Sequence, residues 1–345
     1  MIKPQKLKKG DMVALVSLSA GIAGESLFQH RVEMGIKRLK EDFGLKVMTM
    51  PNALKGIEYL DKHPEARAKD LMEAFKNPEI KAVIAMIGGD DTIRLLPYID
   101  FTILKDNPKM FMGYSDTTVN HFMMYKAGFT SFYGPCVMCE FAENAAMHEY
   151  TKTYINKVLF KTNDSLEIPA SPEWTSEMLE WTDSANNEIA RKMIPEQNGY
   201  MLLQGKGKVE GRLLGGCIDV FPMLIGTELW PQADEWKGCI LFLETSEEEP
   251  APSEVKYLLR GLVAQGIIDN INGIIVGKPC NEKYFAEYKE VLIRVVNQEA
   301  GHKDMPILYN MNFGHNAPLC ILPYGAMAEI DCDKKSFWLK ESAVE

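Results

Sequence analysis

The sequence predicts an α/β protein built on parallel sheet. Two observations carry this: apolar strand candidates alternate with helix candidates through the first half, and a second region of the same kind follows after a polar, proline-broken interval. Sheets of this type collect their functional groups in the loops at the C-terminal ends of strands.

Residues 12–17 form the first strand, and Ser19-Ala20-Gly21 turns the chain after it. Over 25–43, Phe28, Val32, Ile36, Leu39 and Phe43 recur at three- and four-residue spacing, the signature of an amphipathic helix that Gly44 ends. A second strand at 45–50 and a helix at 66–75, stopped by Asn77-Pro78, come next. The fully apolar strand at 82–87 runs into Gly88-Gly89-Asp90-Asp91, where two glycines let the backbone turn and leave N–H groups uncovered. Lys109-Met110-Phe111-Met112-Gly113-Tyr114-Ser115-Asp116-Thr117-Thr118 is a buried strand leading directly into a helix. Ser131-Phe132-Tyr133-Gly134-Pro135 is another strand-to-turn element.

This places an N-terminal α/β domain at 1–150, a linker or lid at 151–199 and a C-terminal β/α domain at 200–345. The lid is polar and proline-rich, with Trp174 and Trp181 as its large rings. The C-terminal domain has strands at 239–243, 271–276, 307–311 and 326–330, with helices at 253–265 and 285–299.

Composition narrows the partners. With 345 residues, 46% of them hydrophobic, the chain can bury a large core. A net charge of -10 without a basic tract argues against a nucleic-acid polymer or an anionic membrane. Seven scattered cysteines, mostly in apolar contexts, read as free thiols in a reducing cytoplasm, and no apolar run is long enough for a leader or a membrane span. Cys136 and Cys139 lack a second pair for zinc, and His148-Glu149 lacks the second histidine of a zinc protease helix. No metal or cofactor is expected.

Ser115 stands at the strand-to-helix corner. Such a corner exposes the side chain and aims the following N–H groups at whatever that side chain attacks, although a serine there also serves as a helix cap. A nucleophilic serine needs a histidine, and the histidine an acid. His121 lies about 9 Å along the helix from Ser115 and reads as a core or groove residue, while His30, His63, His148 and His302 read as surface residues. His315, in the loop Asn312-Phe313-Gly314-His315-Asn316 after a strand, is the preferred base. Glu244 ends the strand at 239–243 and is the preferred acid over Asp116 and Asp90; the run Glu247-Glu248-Glu249 beyond it reads as a solvated loop.

The blocks Arg67-Ala68-Lys69-Asp70-Leu71, Ile87-Gly88-Gly89, Gly113-Tyr114-Ser115-Asp116, Gly211-Arg212-Leu213-Leu214-Gly215-Gly216, Leu241-Phe242-Leu243-Glu244 and Phe313-Gly314-His315 resemble the LD-carboxypeptidase family of serine peptidases, in order and across nearly the whole chain. The resemblance implies a triad of Ser115, Glu244 and His315, and an oxyanion hole from the N–H groups of Gly89 and Asp116. It also implies a flavodoxin-like N-terminal domain, a swivelling-type C-terminal domain and a homodimer. The stretches around Trp174 and Trp181 and at Gly226-Thr227-Glu228-Leu229-Trp230-Pro231 resemble the microcin C self-immunity branch, whose members cleave an acidic amino acid from a modified nucleotide. The expected activity is therefore hydrolysis of an amide-type bond in a small peptide or aminoacyl-nucleotide through an acyl-enzyme, with Trp174 or Trp181 stacking on the base. The alternatives are murein tetrapeptide LD-carboxypeptidase and a catalytically silent small-molecule binding module.

Overall fold

The computed structural model describes residues 1–345 and divides into two compact units. The first comprises Met1–Thr162, Glu177–Lys192 and Ala343–Glu345; the second comprises Asn163–Ser176 and Met193–Ser342. The first unit thus runs past residue 150, through the helix Glu149–Leu159. The interval drawn as one lid is shared, with Trp174 in the second unit and Trp181 in the first.

In the first unit, strands β1 (Met12–Val16), β2 (Lys46–Thr49), β3 (Ile80–Ala85), β4 (Met110–Gly113) and β5 (Phe132–Tyr133) are parallel and lie in the order β2-β1-β3-β4-β5. That is the flavodoxin-like order, with the switch point between β1 and β3. Helices α1 (Gln29–Glu41) and α2 (Pro64–Lys76) follow β1 and β2, each burying one stripe: Val32 and Leu39 on α1, Ala68, Leu71 and Phe75 on α2. Helix α3 (Thr118–Ala127) is buried nearly all round, which is why its sequence shows no clear amphipathic period. Gly128, with φ of 92°, ends it. The loops after β1, β3 and β4 all leave the carboxyl ends of neighbouring strands.

The second unit is an eight-stranded sheet. After the short strands β6 (Leu166–Glu167), β7 (Glu173–Trp174), β8 (Ile194–Pro195) and β9 (Met201–Gln204), its centre is β10 (Lys208–Cys217), β11 (Cys239–Glu244), β12 (Gly273–Gly277) and β13 (Ile307–Met311), mutually parallel, with helix α4 (Pro252–Ala264) between β11 and β12. Antiparallel strands at Met327–Asp331, Ser336–Leu339 and Met201–Gln204 extend its two sides. All six residues of β11 and all five of β13 are buried; β11 reads as an unbroken apolar run up to Glu244, and β13 as an apolar strand interrupted only by Asn310. Glu244 is the end of β11, and the segment 312–316 leaves the end of β13.

Candidate active site

The corner at Ser115 belongs to the first unit. Ser115 has φ of 64°, a left-handed backbone conformation that is uncommon for a residue with a Cβ and costs energy to hold. Its neighbours hold it. The Tyr133 hydroxyl accepts from the Ser115 N–H at 3.1 Å, the Thr118 hydroxyl donates to the Ser115 carbonyl at 2.7 Å, and the Thr117 hydroxyl donates to the Tyr114 carbonyl at 2.8 Å. Beside the corner runs the loop after β3. A Cβ on Gly88 would stand 2.8 Å from Ser115 Cβ and 3.0 Å from Ser115 Oγ, so only glycine lets the loop lie against the serine.

That loop is fixed by charge. Asp116, fully buried, accepts from the Thr92 N–H at 2.8 Å. Arg67, also fully buried, meets Asp91 through two hydrogen bonds of 2.6 and 2.9 Å and donates to the carbonyls of Leu18 and Ser19. Burial raises the Asp91 carboxyl, but its hydrogen bonds and charge interactions with Arg67 and Arg94 outweigh this and bring it below the ordinary value. The ends of β1 and β3 are therefore joined by one bidentate pair.

His121 is set apart from chemistry by its surroundings. Its Nδ1 is 2.8 Å from the Ser131 hydroxyl and its Nε2 donates to the Gly113 carbonyl at 2.9 Å, and burial lowers its pKa to about 3. It is a core residue.

The second unit holds Glu244 and His315, the expected acid and base. Glu244 Oε2 is 2.7 Å from His315 Nδ1, with the glutamate side chain 1% and the histidine side chain 8% exposed. Gly314 has φ of 97°, and a Cβ there would stand 2.6 Å from Glu244 Oε2, so the turn before His315 passes directly over the carboxylate. Asn316 braces the far side, donating to the carbonyls of Lys278 and Pro279 at 2.6 and 2.9 Å. His315 Nε2 is 3.1 Å from Oε2 of Glu247, so the acidic loop, although solvated, also touches the histidine.

Cys217, opposite Glu244 in the register of β10 and β11, completes a set of three metal-type donors within 4.8 Å of one another. The set fits an ion poorly. Burial and the charges of Glu244 and Asp219 push the Cys217 thiol well up, and a 2.7 Å contact between imidazole and carboxylate is closer than two ligands placed about 2.0–2.2 Å from a tetrahedral zinc would stand.

Of the predicted site residues, Glu244 and His315 are brought together in one unit; in the other, Ser115 and Asp116 lie against Gly88, and the position a Cβ would take on Gly89, next in the loop, faces Ser19 and Ala20. Trp174 is 5% exposed, with the Lys278 ammonium 4.3 Å from its ring, and the adjoining Thr175 pairs its backbone with Ala317 near the His315 turn. Trp181 is half-buried, with the Arg31 guanidinium 4.2 Å from its ring. His148 is not a surface residue: it is 19% exposed and lies 3.1 Å from Glu143. Burial raises the Glu143 carboxyl, but His148 and Arg191 together hold it at about 2. Arg67, Tyr133, Asp219 and Glu247 had no assigned role in the sequence; a charged residue on the apolar stripe of α2 was the available signal for Arg67. None of the seven cysteines is in a disulfide, and six of them are buried.

Comparison with known proteins gives the family of the chain. The profile of the LD-carboxypeptidase N-terminal domain matches residues 13–134, and that of the LD-carboxypeptidase C-terminal domain matches residues 210–330. The microcin C7 self-immunity protein MccF of Escherichia coli is 30% identical over 338 residues, which cover 97% of this chain and 94% of that protein. An MccF-like protein from Streptococcus pneumoniae, solved in complex with AMP, superposes with a TM-score of 0.87 at 36% identity over 96% of this chain and 98% of that one. MccF in complex with glutamyl sulfamoyl guanosine superposes with a TM-score of 0.86 at 28% identity over 100% of both chains. The chain belongs to the LD-carboxypeptidase family and is a serine carboxypeptidase-type hydrolase.

Proposed function

We propose that the protein hydrolyses the amide-type bond of an aminoacyl-nucleotide, in the manner of a self-immunity enzyme, with Ser115 as nucleophile, His315 as base and Glu244 as the acid that orients it. Ser115 Oγ attacks the acyl carbon while its proton passes to His315 Nε2. The N–H groups of Gly89 and Asp116 receive the developing oxyanion. The bond to the leaving nitrogen then breaks as His315 returns the proton to it, and water repeats the sequence on the ester to release the acid and regenerate the serine.

The observation that carries this reading is the pair of prepared groups: a serine held at φ of 64° between β4 and α3, and a buried glutamate 2.7 Å from a histidine. The nucleotide is supported by the ligands of the relatives, AMP in one and glutamyl sulfamoyl guanosine in the other. Trp181 is favoured over Trp174 as the ring for a nucleobase, because Trp174 is buried against Lys278. A cytoplasmic location is supported by seven cysteines that form no disulfide. A homodimer needing no metal or cofactor completes the proposal.

Side-by-side assays on an aminoacyl sulfamoyl nucleoside and a murein tetrapeptide test it. Faster hydrolysis of the nucleoside, abolished by Ser115→Ala, supports the reading. Faster release of D-alanine from the tetrapeptide replaces it with murein carboxypeptidase, and hydrolysis of neither leaves a silent binding module.

A further inference from the structure

The loop after β11 carries one side chain that the mechanism above does not use. Residues 246–249 close a turn in which the Glu249 N–H donates to the Ser246 carbonyl at 3.2 Å. The Ser246 N–H donates to Asp219 at 2.9 Å, the Ser246 hydroxyl accepts from the Glu248 N–H at 3.1 Å, and Asn281 donates to the Glu249 carboxylate at 2.9 Å. The backbone is thus anchored on both sides of Glu247, whose own side chain is 66% exposed and free to swing. In the resting arrangement its Oε2 lies 3.1 Å from His315 Nε2. Nε2 is the nitrogen through which a serine-histidine-acid mechanism moves its proton, so Glu247 competes for the working atom of the base.

An exposed carboxylate changes partners at little cost, and a better partner is a cation. Lys278 is not available for this, since its ammonium is already between Glu196 at 3.0 Å and Glu282 at 2.6 Å. Burial, followed by the charges of Glu249, Glu247 and Glu244, raises the Cys280 thiol to about 11, which marks the convergence of these three carboxylates. A general base works within about 3 Å of the proton it moves, which puts Glu247 two hydrogen bonds from the scissile carbonyl. The α-ammonium of an aminoacyl substrate is separated from that carbonyl by a single carbon.

We propose that Glu247 is a specificity residue that binds the α-ammonium of the acyl residue; in turning to it, Glu247 gives up the contact with His315 Nε2, the proton shared in that contact passes to solvent, and the bare Nε2 takes the serine proton. The proposal rests on the aminoacyl-hydrolase reading above and narrows it to substrates whose acyl residue has a free α-amino group. In a murein tetrapeptide, the residue before the terminal D-alanine has its α-nitrogen in a neutral peptide bond, which gives Glu247 no reason to leave the histidine.

The test is the turnover of glutamyl sulfamoyl guanosine and its N-acetyl derivative by the full-length wild-type and Glu247→Gln proteins, with thermal midpoints measured alongside. Acetylation is expected to lower kcat/KM about 10- to 100-fold in the wild type, the range of one charge-assisted hydrogen bond. In Glu247→Gln the penalty should nearly vanish at an unchanged midpoint, and Glu247→Asp should restore part of it. An equal penalty in wild type and Glu247→Gln, or none in the wild type, overturns the role of Glu247 and leaves the hydrolase standing. Turnover of neither compound by the wild type overturns the aminoacyl-hydrolase reading, and this proposal with it.

Discussion

Glu244 Oε2 and His315 Nδ1 meet at 2.7 Å across 71 residues of sequence, because β11 and the loop after β13 end on the same edge of one sheet. The carboxylate accepts the Nδ1 proton and so leaves Nε2 as the basic nitrogen. Glu244→Gln keeps the size of the side chain and removes that preference. Its kcat should fall about 10³- to 10⁴-fold, as when the acid of a serine-peptidase triad becomes its amide, with the thermal midpoint little changed. Steady-state kinetics beside a thermal scan check this.

Gly314 offers a way to disturb the same pair without touching either member. Gly314→Ala adds a methyl 2.6 Å from Glu244 Oε2 at a backbone φ of 97°, so the carboxylate or the turn must move. Activity should drop by at least about 10²-fold, the loss that a misplacement of about 1 Å produces. Gly10→Ala, at φ of 91° with nothing near its Cβ, carries similar backbone strain and should leave kcat unchanged.

The Arg67–Asp91 pair should matter to stability and to chemistry at once. Arg67→Met removes the bidentate partner of Asp91, which is 22% exposed and keeps Arg94 at 2.8 Å, so the loss should be about 1–3 kcal/mol. Denaturant titration should show that loss. Because the pair fixes the loop that lies against Ser115, the surviving folded protein should show a lower kcat with less change in KM.

His121 sets a pH limit on the fold. Burial brings its folded pKa to about 3, while the unfolded chain titrates near the ordinary value of 6.5. The unfolded state therefore takes up the proton first as pH falls. Stability from this residue is complete above pH 6.5 and is lost progressively toward pH 3. Glu143, held at about 2 against an ordinary 4.5, adds a loss in the same direction below pH 4.5. Urea unfolding across pH 3–7 should show stability falling with acid, and His121→Gln should flatten the upper part of that slope.

Much of this was legible in the sequence where a strand ends in chemistry. Strands β3, β4, β11 and β13 are mostly apolar and buried throughout or nearly so, and the character of the chain changes at or just after the end of each: at the Gly88 loop, Ser115, Glu244 and His315. Strand β10 escaped notice. Its first half alternates exposed Lys208, Glu210 and Arg212 with more buried positions, and three glycines dilute the apolar signal of the rest. The sharing of the 163–199 interval between two units was also hidden, since the residues that anchor it are polar. Asn144 reaches the Asn186 carbonyl at 2.7 Å and Arg191 reaches Glu143 at 2.9 Å, and no local pattern announces hydrogen bonds of that sequence separation. Glu247 read as solvated from its acidic neighbours, and its contact with His315 depends on a tertiary turn.

The claim on which the rest depends is a covalent acyl group on Ser115. Reaction of the protein with glutamyl sulfamoyl guanosine, quenched in acid within the first turnovers and analysed by peptide mass spectrometry, tests it most directly. A glutamyl adduct is expected on the peptide containing Ser115, enriched in Glu244→Gln if deacylation slows more than acylation, and absent from Ser115→Ala together with all turnover. Wild-type rates in Ser115→Ala with no adduct at this position would contradict it, and Ser115 would then be a helix cap at a strained corner.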